Sequence, residues 1–221
     1  MPDVDSIRNR AGTAPPLATA TEEEQARGDL YSLLGNILAA PPEDRLLNLL
    51  REIPEPSADD QGLLSAGWRE IRSAALKSHT ESLRDEYQAL FIGLGRGEVV
   101  PYGSWYLTGY LMEEPLARLR GDLRALRIER QPGVKEPEDH AAALCDAMAL
   151  LISGEYSCPV SRQYDFFASH IEPWMGRFFE DLRQAPSARF YRAAGLLGIK
   201  FLEVESQAYR ITIPSADKST S

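Results

Sequence analysis

The sequence predicts an all-α fold, a single globular domain of roughly nine to eleven helices of ordinary length. Two observations predict it. Apolar residues recur about every 3.6 positions along most of the chain, without strand-like alternation, and helix start and stop signals punctuate the segments between them. We expect the domain over residues 21–211. Residues 1–20 and 212–221 are rich in small and polar residues, which predicts flexible tails.

The first helices are bounded by clear signals. Thr21 and Glu24 form a capping box, and Pro41 and Pro42 end the helix that it opens. A short helix follows over residues 43–51. Later helices are indicated by apolar residues on one face: Leu64, Trp68, Ile71 and Ala75; then Leu83, Tyr87, Leu90 and Phe91; then a segment over residues 115–126.

Residues 137–153 predict a central buried helix, because the segment is apolar almost all round and Pro137 suits a first helical position. A bent pair of helices past Pro173 and a final helix complete the domain. Their apolar stripes are Phe167, Ile171, Trp174, Phe178 and Leu182, and then Phe190, Ala194, Leu197 and Phe201.

Composition excludes several classes of protein. The chain has 24 Lys and Arg against 33 Asp and Glu, a net charge of −9 and a pI of about 5.0. This balance argues against nucleic-acid binding, which needs clustered cations. Two cysteines indicate a reducing compartment. We find neither a secretory signal nor an apolar run that could span a bilayer, so a cytoplasmic protein without stable membrane insertion is expected.

No catalytic chemistry is indicated. His140 and Cys145 are five positions apart, about 140° round a helix, so they do not face one metal ion. The histidines are expected at the surface or at helix caps. Gly93, Gly95 and Gly97 follow a helix rather than a strand, which favours helix termination over phosphate binding. We therefore expect no enzyme activity, no metal and no cofactor.

An uncharged stretch of fourteen residues, 99–112, lies between Glu98 and Glu113 and contains one Trp and three Tyr. Trp and Tyr are enriched where proteins bind other chains. The candidate peptide-binding residues in this stretch are Pro101, Tyr102, Trp105, Tyr106 and Leu107. The alternative is that the stretch packs on the core as a plug.

A second candidate lies at the start of the buried helix, where Glu136, Asp139 and His140 precede Asp146. Asp139 and Asp146 are seven positions apart, and the face between them presents only Ala142 and Ala143. Two carboxylates flanking an alanine floor would suit guanidinium groups. The alternative is that Asp146 is buried and bonded by a neighbouring helix.

The sequence resembles the TorD/DmsD-type chaperones, redox-enzyme maturation proteins related to NarJ. The resemblance covers about residues 25–210. It is carried by five segments: Glu86-Tyr87-Gln88-Ala89-Leu90-Phe91, Pro101-Tyr102-Gly103-Ser104-Trp105-Tyr106, Glu136-Pro137-Glu138-Asp139-His140, His170-Ile171-Glu172-Pro173-Trp174 and Phe190-Tyr191-Arg192-Ala193. Tyr102 and Trp105 depart from the family pattern, in which Trp often follows the proline and a small aliphatic residue precedes the second aromatic.

The resemblance implies a helical chaperone that binds the twin-arginine leader and the apo-protein of a molybdopterin oxidoreductase, of the DMSO/TMAO reductase or formate dehydrogenase type, before export. It places the peptide-binding positions at Pro101, Tyr102, Trp105 and Tyr106 and at Asp139 and His140. Two other hypotheses stay open, a nucleotide-responsive regulator and a helical adaptor for molybdoenzyme assembly. Both a monomer and a homodimer are compatible with the sequence.

Overall fold

The computed structural model describes residues 21–57, 59–60, 62–130, 135–152 and 158–212, and the predicted tails lie outside these ranges except for Thr212. Within them the fold is all-α, as predicted, with ten α-helices and one π-helical turn. The helices are α1 (Glu22–Ala39), α2 (Asp44–Glu52), α3 (Ser65–Lys77), α4 (Thr80–Tyr87), α5 (Gly103–Thr108), α6 (Glu114–Ala125), α7 (Ala141–Ile152), α8 (Val160–His170), α9 (Met175–Gln184) and α10 (Phe190–Thr212), with the π-helical turn at Gln88–Ile92.

The start of α1 is fixed by the predicted capping box. The Glu24 backbone N–H donates to Thr21 Oγ1 at 3.2 Å, and the Thr21 N–H donates to Glu24 Oε2 at 2.8 Å. Two of the backbone groups that a helix start leaves without partners are thereby bonded within one turn.

The core lies between two sets of packed helices. Helix α1 packs along α7, while α10 packs on both α9 and α3. The two apolar stripes predicted from the sequence, past Pro173 and along the final helix, are buried throughout. The helical period therefore identified the core faces correctly.

The N-terminus of α10 is bonded by a side chain from a distant segment. Glu86, in α4, accepts hydrogen bonds from the backbone N–H groups of Arg189 at 2.7 Å, Phe190 at 3.2 Å and Tyr191 at 2.8 Å. A carboxylate is favourable here because of both the free N–H groups and the helix dipole. Two of the segments that carry the family resemblance thus meet in space.

The buried helix begins later than predicted. It starts at Ala141, and Pro137 lies in a turn in which the His140 N–H donates to the Pro137 carbonyl at 3.1 Å. The Ala141 N–H then donates to the carbonyl of Pro101 at 2.8 Å. These bonds replace a first helical turn, so the prediction of a helix from Pro137 was wrong.

Candidate functional site

Two segments far apart in sequence meet at the candidate site. Tyr102 and His140 form an isolated antiparallel bridge, flanked by the bond from Ala141 to Pro101 and by a 2.9 Å bond from the Gly103 N–H to the Asp139 carbonyl. We call residues 101–106 the aromatic loop. The bridge fixes the aromatic loop against the turn that precedes α7.

Asp139 bonds to the N-terminus of α5 from across this bridge. Its Oδ2 accepts from the Ser104 backbone N–H at 2.9 Å and from Ser104 Oγ at 2.6 Å. Ser104 Oγ in turn accepts from the Met112 N–H at 3.2 Å. Asp139 therefore holds both the start of α5 and the chain that follows it.

Tyr102 is fixed at the surface edge of the site. Its hydroxyl donates to Glu136 Oε2 at 2.5 Å, and its ring meets the His140 ring edge-on at 5.1 Å. Partial burial and the bond to the Glu136 carboxylate both raise the pKa of the Tyr102 hydroxyl. Tyr102 is thus a neutral donor that keeps Glu136 beside the loop.

Tyr106 packs inward. Its ring lies 5.4 Å from the ring of buried Trp174, and its hydroxyl donates to Asp181 Oδ2 at 2.8 Å. The Arg177 guanidinium, 5.9 Å from the Tyr106 ring, also donates to the Tyr106 carbonyl at 2.9 Å. For Tyr106 the packed arrangement anticipated as the alternative fits best, while burial raises the pKa of its hydroxyl.

The end of α5 leads into exposed apolar surface. Leu107, Tyr110, Leu111 and Met112 have exposed fractions of 38%, 70%, 49% and 71%. We call these four residues the apolar shelf. Met112 adopts a φ of 60°, unusual for a residue with a side chain, and its N–H is held by Ser104. The shelf is therefore fixed to the rest of the fold by the bond between Met112 and Ser104 and is not a loosely attached segment.

The predicted carboxylate cradle is wrong. Ala142 is 4% exposed and packs on α1, and Asp139 is 3% exposed behind α5. The Asp146 carboxylate lies against Gly35 of α1, with Oδ1 2.6 Å from where a Cβ would stand. The two carboxylates face different elements, and of the two alanines between them Ala142 is buried while Ala143 is only partly exposed.

Asp146 nevertheless reaches the surface. In the described part of the chain it forms no ion pair or side-chain hydrogen bond, so the alternative of a bond from a neighbouring helix is not what the structure shows. Desolvation against α1 raises the pKa of its carboxyl.

The histidines were expected at the surface or at helix caps, and two of them lie inside the fold. His140 does cap a helix, since its Nδ1 accepts from the Ala142 N–H at 3.1 Å, but it is only 8% exposed. His170 is also buried, with Nε2 2.7 Å from Asp122 Oδ2. Burial lowers the pKa of both imidazoles, and the nearby carboxylates oppose that shift only in part.

Sequence reasoning missed several residues of the site. Asp181 and Arg177 come from α9, and Arg96 stacks on Trp105 with its guanidinium carbon 4.9 Å from the ring centroid. No local pattern marks such contacts, because Arg177 and Asp181 are more than 70 residues from Tyr106, and the contact of Arg96 with Trp105 depends on how the intervening loop folds. The shelf residues Tyr110, Leu111 and Met112 could have been found, since their run of apolar residues has no charged neighbour before Glu113.

The described residues hold no group of three or more His, Cys, Asp or Glu that could bind a metal ion. Across the same ranges, no helix has both the length and the apolar composition that crossing a membrane requires.

The arrangement of helices is similar to that of a solved structure. The fold matches a solved structure described as a putative redox enzyme maturation protein from Archaeoglobus fulgidus, with a TM-score of 0.54, 18% identity, and coverage of 86% of this chain and 99% of that one. At this level of identity the match establishes an all-helical fold of the same kind.

The sequence then establishes the family. The family model described as nitrate reductase delta subunit matches residues 58–180, more than half of the chain. The chain therefore belongs to this family, and the resemblance to TorD/DmsD-type proteins is confirmed.

Two relatives illustrate the similarity. The probable Tat proofreading chaperone DmsD of Haemophilus influenzae is 28% identical over 189 residues, which cover 83% of this chain and 91% of the relative. The chaperone protein TorD of Vibrio cholerae is 29% identical over 130 residues, 55% of this chain and 59% of the relative. The match to this TorD thus spans less than two thirds of its length.

Proposed function

We propose that this protein is a chaperone for a redox enzyme and binds the twin-arginine leader and the apo-protein of a molybdopterin oxidoreductase before export. The observation that carries the proposal is the apolar shelf, which the fold keeps exposed to solvent beside acidic side chains. The membership of the family and the chaperone names of its relatives support the same function.

The chemistry of a twin-arginine leader suits this surface. Such a leader has two adjacent arginines followed by an apolar segment. Leu111 and Met112 offer exposed apolar surface, while Glu113, Glu114 and Glu136 are exposed carboxylates adjoining the shelf and the aromatic loop. The shelf would take the apolar segment, and carboxylates would pair with the guanidinium groups.

Within this proposal the predicted site residues divide by role. Tyr102, Trp105, Leu107, Glu136 and Asp146 reach the surface and would contact the peptide. Pro101, Asp139 and His140 are buried, and Tyr106 is engaged by α9, so these four act as positioning residues. The cavity next to Asp139 is only about 10 Å³, too small for a peptide side chain, so direct contact would require α5 to move.

The test is calorimetric titration of the full chain with a twin-arginine leader peptide and with its Lys-Lys version. We expect tighter binding of the arginine peptide, because guanidinium groups pair with carboxylates in a bidentate manner. Equal affinities for the two peptides would remove the arginine-recognition part of the proposal.

A surface variant tests the shelf. Leu111→Ser should weaken leader binding roughly 5- to 10-fold, about the value of burying half to most of a leucine. Leu49→Ser is the matched control, since Leu49 is 55% exposed against 49% for Leu111 but lies on α2. Equal effects of the two substitutions would show that the shelf is not the binding surface.

The adaptor hypothesis makes a different prediction for the client. An adaptor would bind a client lacking its leader as well as it binds the complete precursor. We expect the leaderless client to bind more weakly, as measured by co-purification with the full chain.

A further inference from the structure

A small pocket lies beside the aromatic loop, on the side formed by the chain before it and by α9. Its volume is about 290 Å³, and it is lined mainly by Arg96, Glu98, Trp105, Tyr106, Asp181 and Gln184. We call it the Trp105 pocket. Two carboxylates and one guanidinium line it, so its walls carry one negative charge in excess.

The Arg96 side chain occupies the aromatic wall of this pocket. Its guanidinium carbon lies 4.9 Å from the centroid of the Trp105 ring, within the range of a cation–π contact. In the described ranges Arg96 forms no ion pair and no side-chain hydrogen bond, so the ring is the contact that holds it.

Both carboxylates of the pocket have partners and keep acceptor capacity. Asp181 Oδ2 accepts from the Tyr106 hydroxyl, and Glu98 accepts from the Ser187 N–H at 3.0 Å and from the Ser187 hydroxyl at 2.5 Å. An ionised carboxylate offers about four lone-pair positions, so each can accept further bonds. Their fixed positions make the pocket a ready acceptor for a planar cation.

The segment that carries Arg96 is bonded to the π-helical turn on both sides of Arg96; it is exposed from Leu94 to Arg96, and Gly97 is buried. The Gly93 N–H donates to Gln88, and the Glu98 and Val99 N–H groups donate to Ala89 and Leu90. Between these ends Leu94 is fully exposed, and Gly95, at a φ of 97°, has open space where a side chain would lie. Arg96 can therefore leave the ring without breaking core packing.

We propose that the Trp105 pocket binds a guanidinium group of the client leader, and that Arg96 occupies the pocket in the free protein as an internal substitute that the leader displaces. This inference rests on the proposed function and adds to it the place where an arginine is read. The same chemistry that holds Arg96 on the Trp105 ring would hold an incoming arginine. The leader's arginine would in addition bring its flanking chain onto the nearby loop.

The test is the affinity of the Arg96→Ala variant for the twin-arginine leader. Removing the competitor should tighten binding about two- to fivefold, the range given by a partly exposed cation–π contact. The matched control is Arg189→Ala, which removes the same charge from an exposed side chain that forms no ion pair in the described chain. A gain of equal size in this control would reduce the effect to net charge and overturn the proposal.

Two further arms identify the occupant. With a leader in which both arginines are replaced by glutamine, the gain from Arg96→Ala should vanish; a gain that persists would mean that an apolar group takes the ring instead. In a Trp105→Leu background the gain should also vanish, and Trp105→Phe, which keeps an aromatic face, should retain part of it. A gain that is unchanged in Trp105→Leu would overturn the proposal.

The failures are distinguishable. If the wild-type chain does not bind the leader, the proposed function fails and this inference fails with it. If the wild-type chain binds the arginine leader and Arg96→Ala binds it no more tightly, this inference alone is wrong.

Discussion

Glu86 and Asp139 each bond to the N-terminus of a helix from a distant segment, but they do so to different degrees. Glu86 uses both carboxylate oxygens for three N–H groups at the start of α10. Asp139 uses only Oδ2, and its buried Oδ1 has no hydrogen-bond partner in the described chain. The first region is fully bonded framework, and the second is an incompletely bonded region beside the candidate site.

The difference matches the helices that the two carboxylates serve. Helix α10 has 23 residues and packs on α9 and α3, whereas α5 has six residues and leads into the apolar shelf. Both oxygens of the Glu86 carboxylate accept hydrogen bonds, so this residue stabilises the whole domain. Asp139, of which only one oxygen accepts hydrogen bonds, holds a short, locally anchored helix. Buried polar atoms without partners often mark functional regions.

The largest expected effect is at Glu86. Glu86→Ala should lower the free energy of unfolding by about 2–4 kcal/mol, because it removes three charge-assisted bonds at the start of α10. Urea unfolding measures this. The neighbouring exposed Asp85, changed to Ala, should alter stability by less than about 0.5 kcal/mol. A loss at Glu86 no larger than that at Asp85 would contradict its framework role.

Asp139 should show the opposite balance between stability and binding. Asp139→Ala should lower the free energy of unfolding by about 1–2 kcal/mol, because Ser104 loses its acceptor inside the fold. It should weaken leader binding roughly 5- to 10-fold, since Ser104, which accepts from the Met112 N–H of the shelf, loses the carboxylate that fixes its hydroxyl. Paired unfolding and calorimetric measurements on the folded variants check this.

Conservative variants sharpen the same test. Asp139→Asn keeps an acceptor for Ser104 and should retain most of the stability. Should Glu86→Ala weaken leader binding more than Asp139→Ala does under folding conditions, the division into framework and site would be wrong.

The sequence predicted the fold well and the geometry of the site less well, for one physical reason. Helix faces follow from a local period, so the stripe containing Phe178 and Leu182 could be assigned from the sequence. The position of Asp139 depends on bonds between residues 101–104 and 139–141, which no local period encodes. The sequence pattern predicts a helix face shared by Asp139 and Asp146, but Asp139 precedes the helix and that face does not exist.

Arg96 and Trp105 illustrate the same limit of local patterns. The glycines around Arg96 end a helical segment, as the sequence predicts, and Gly93 takes a φ of 61° after the π-helical turn. The charged residue Arg96 lies over Trp105 because of the way in which the loop folds back onto α5. In the sequence, the departure of Trp105 from the family pattern indicates that this part of the aromatic loop differs from that of the family.

The smallest expected effect is a pH dependence that includes a contribution from the Asp139 region. His140 stands beside Asp139 at the start of α7, where its neutral Nδ1 accepts from Ala142 and burial lowers its pKa. A lowered pKa in the folded state means that the unfolded chain takes up the proton first, so stability falls as the pH drops below about 6.5, the ordinary histidine value.

The slope of that loss is at most about 1.4 kcal/mol per pH unit for each such histidine, and buried His170 contributes its own share. His140→Asn keeps an acceptor at the cap and cannot titrate, so it should flatten the part of the curve that belongs to His140. Hydrogen exchange locates the effect. Amides of α5 should lose protection between pH 7 and pH 5.5 before those at the start of α10. The reason is that protonated His140 disrupts the cap of α7 and the bridge to Tyr102, while Glu86 keeps its three donors. Equal loss of protection at both helices, or an unchanged slope in His140→Asn, would contradict this prediction. The two carboxylate-bonded regions would then open as one unit and would differ only in their hydrogen bonding.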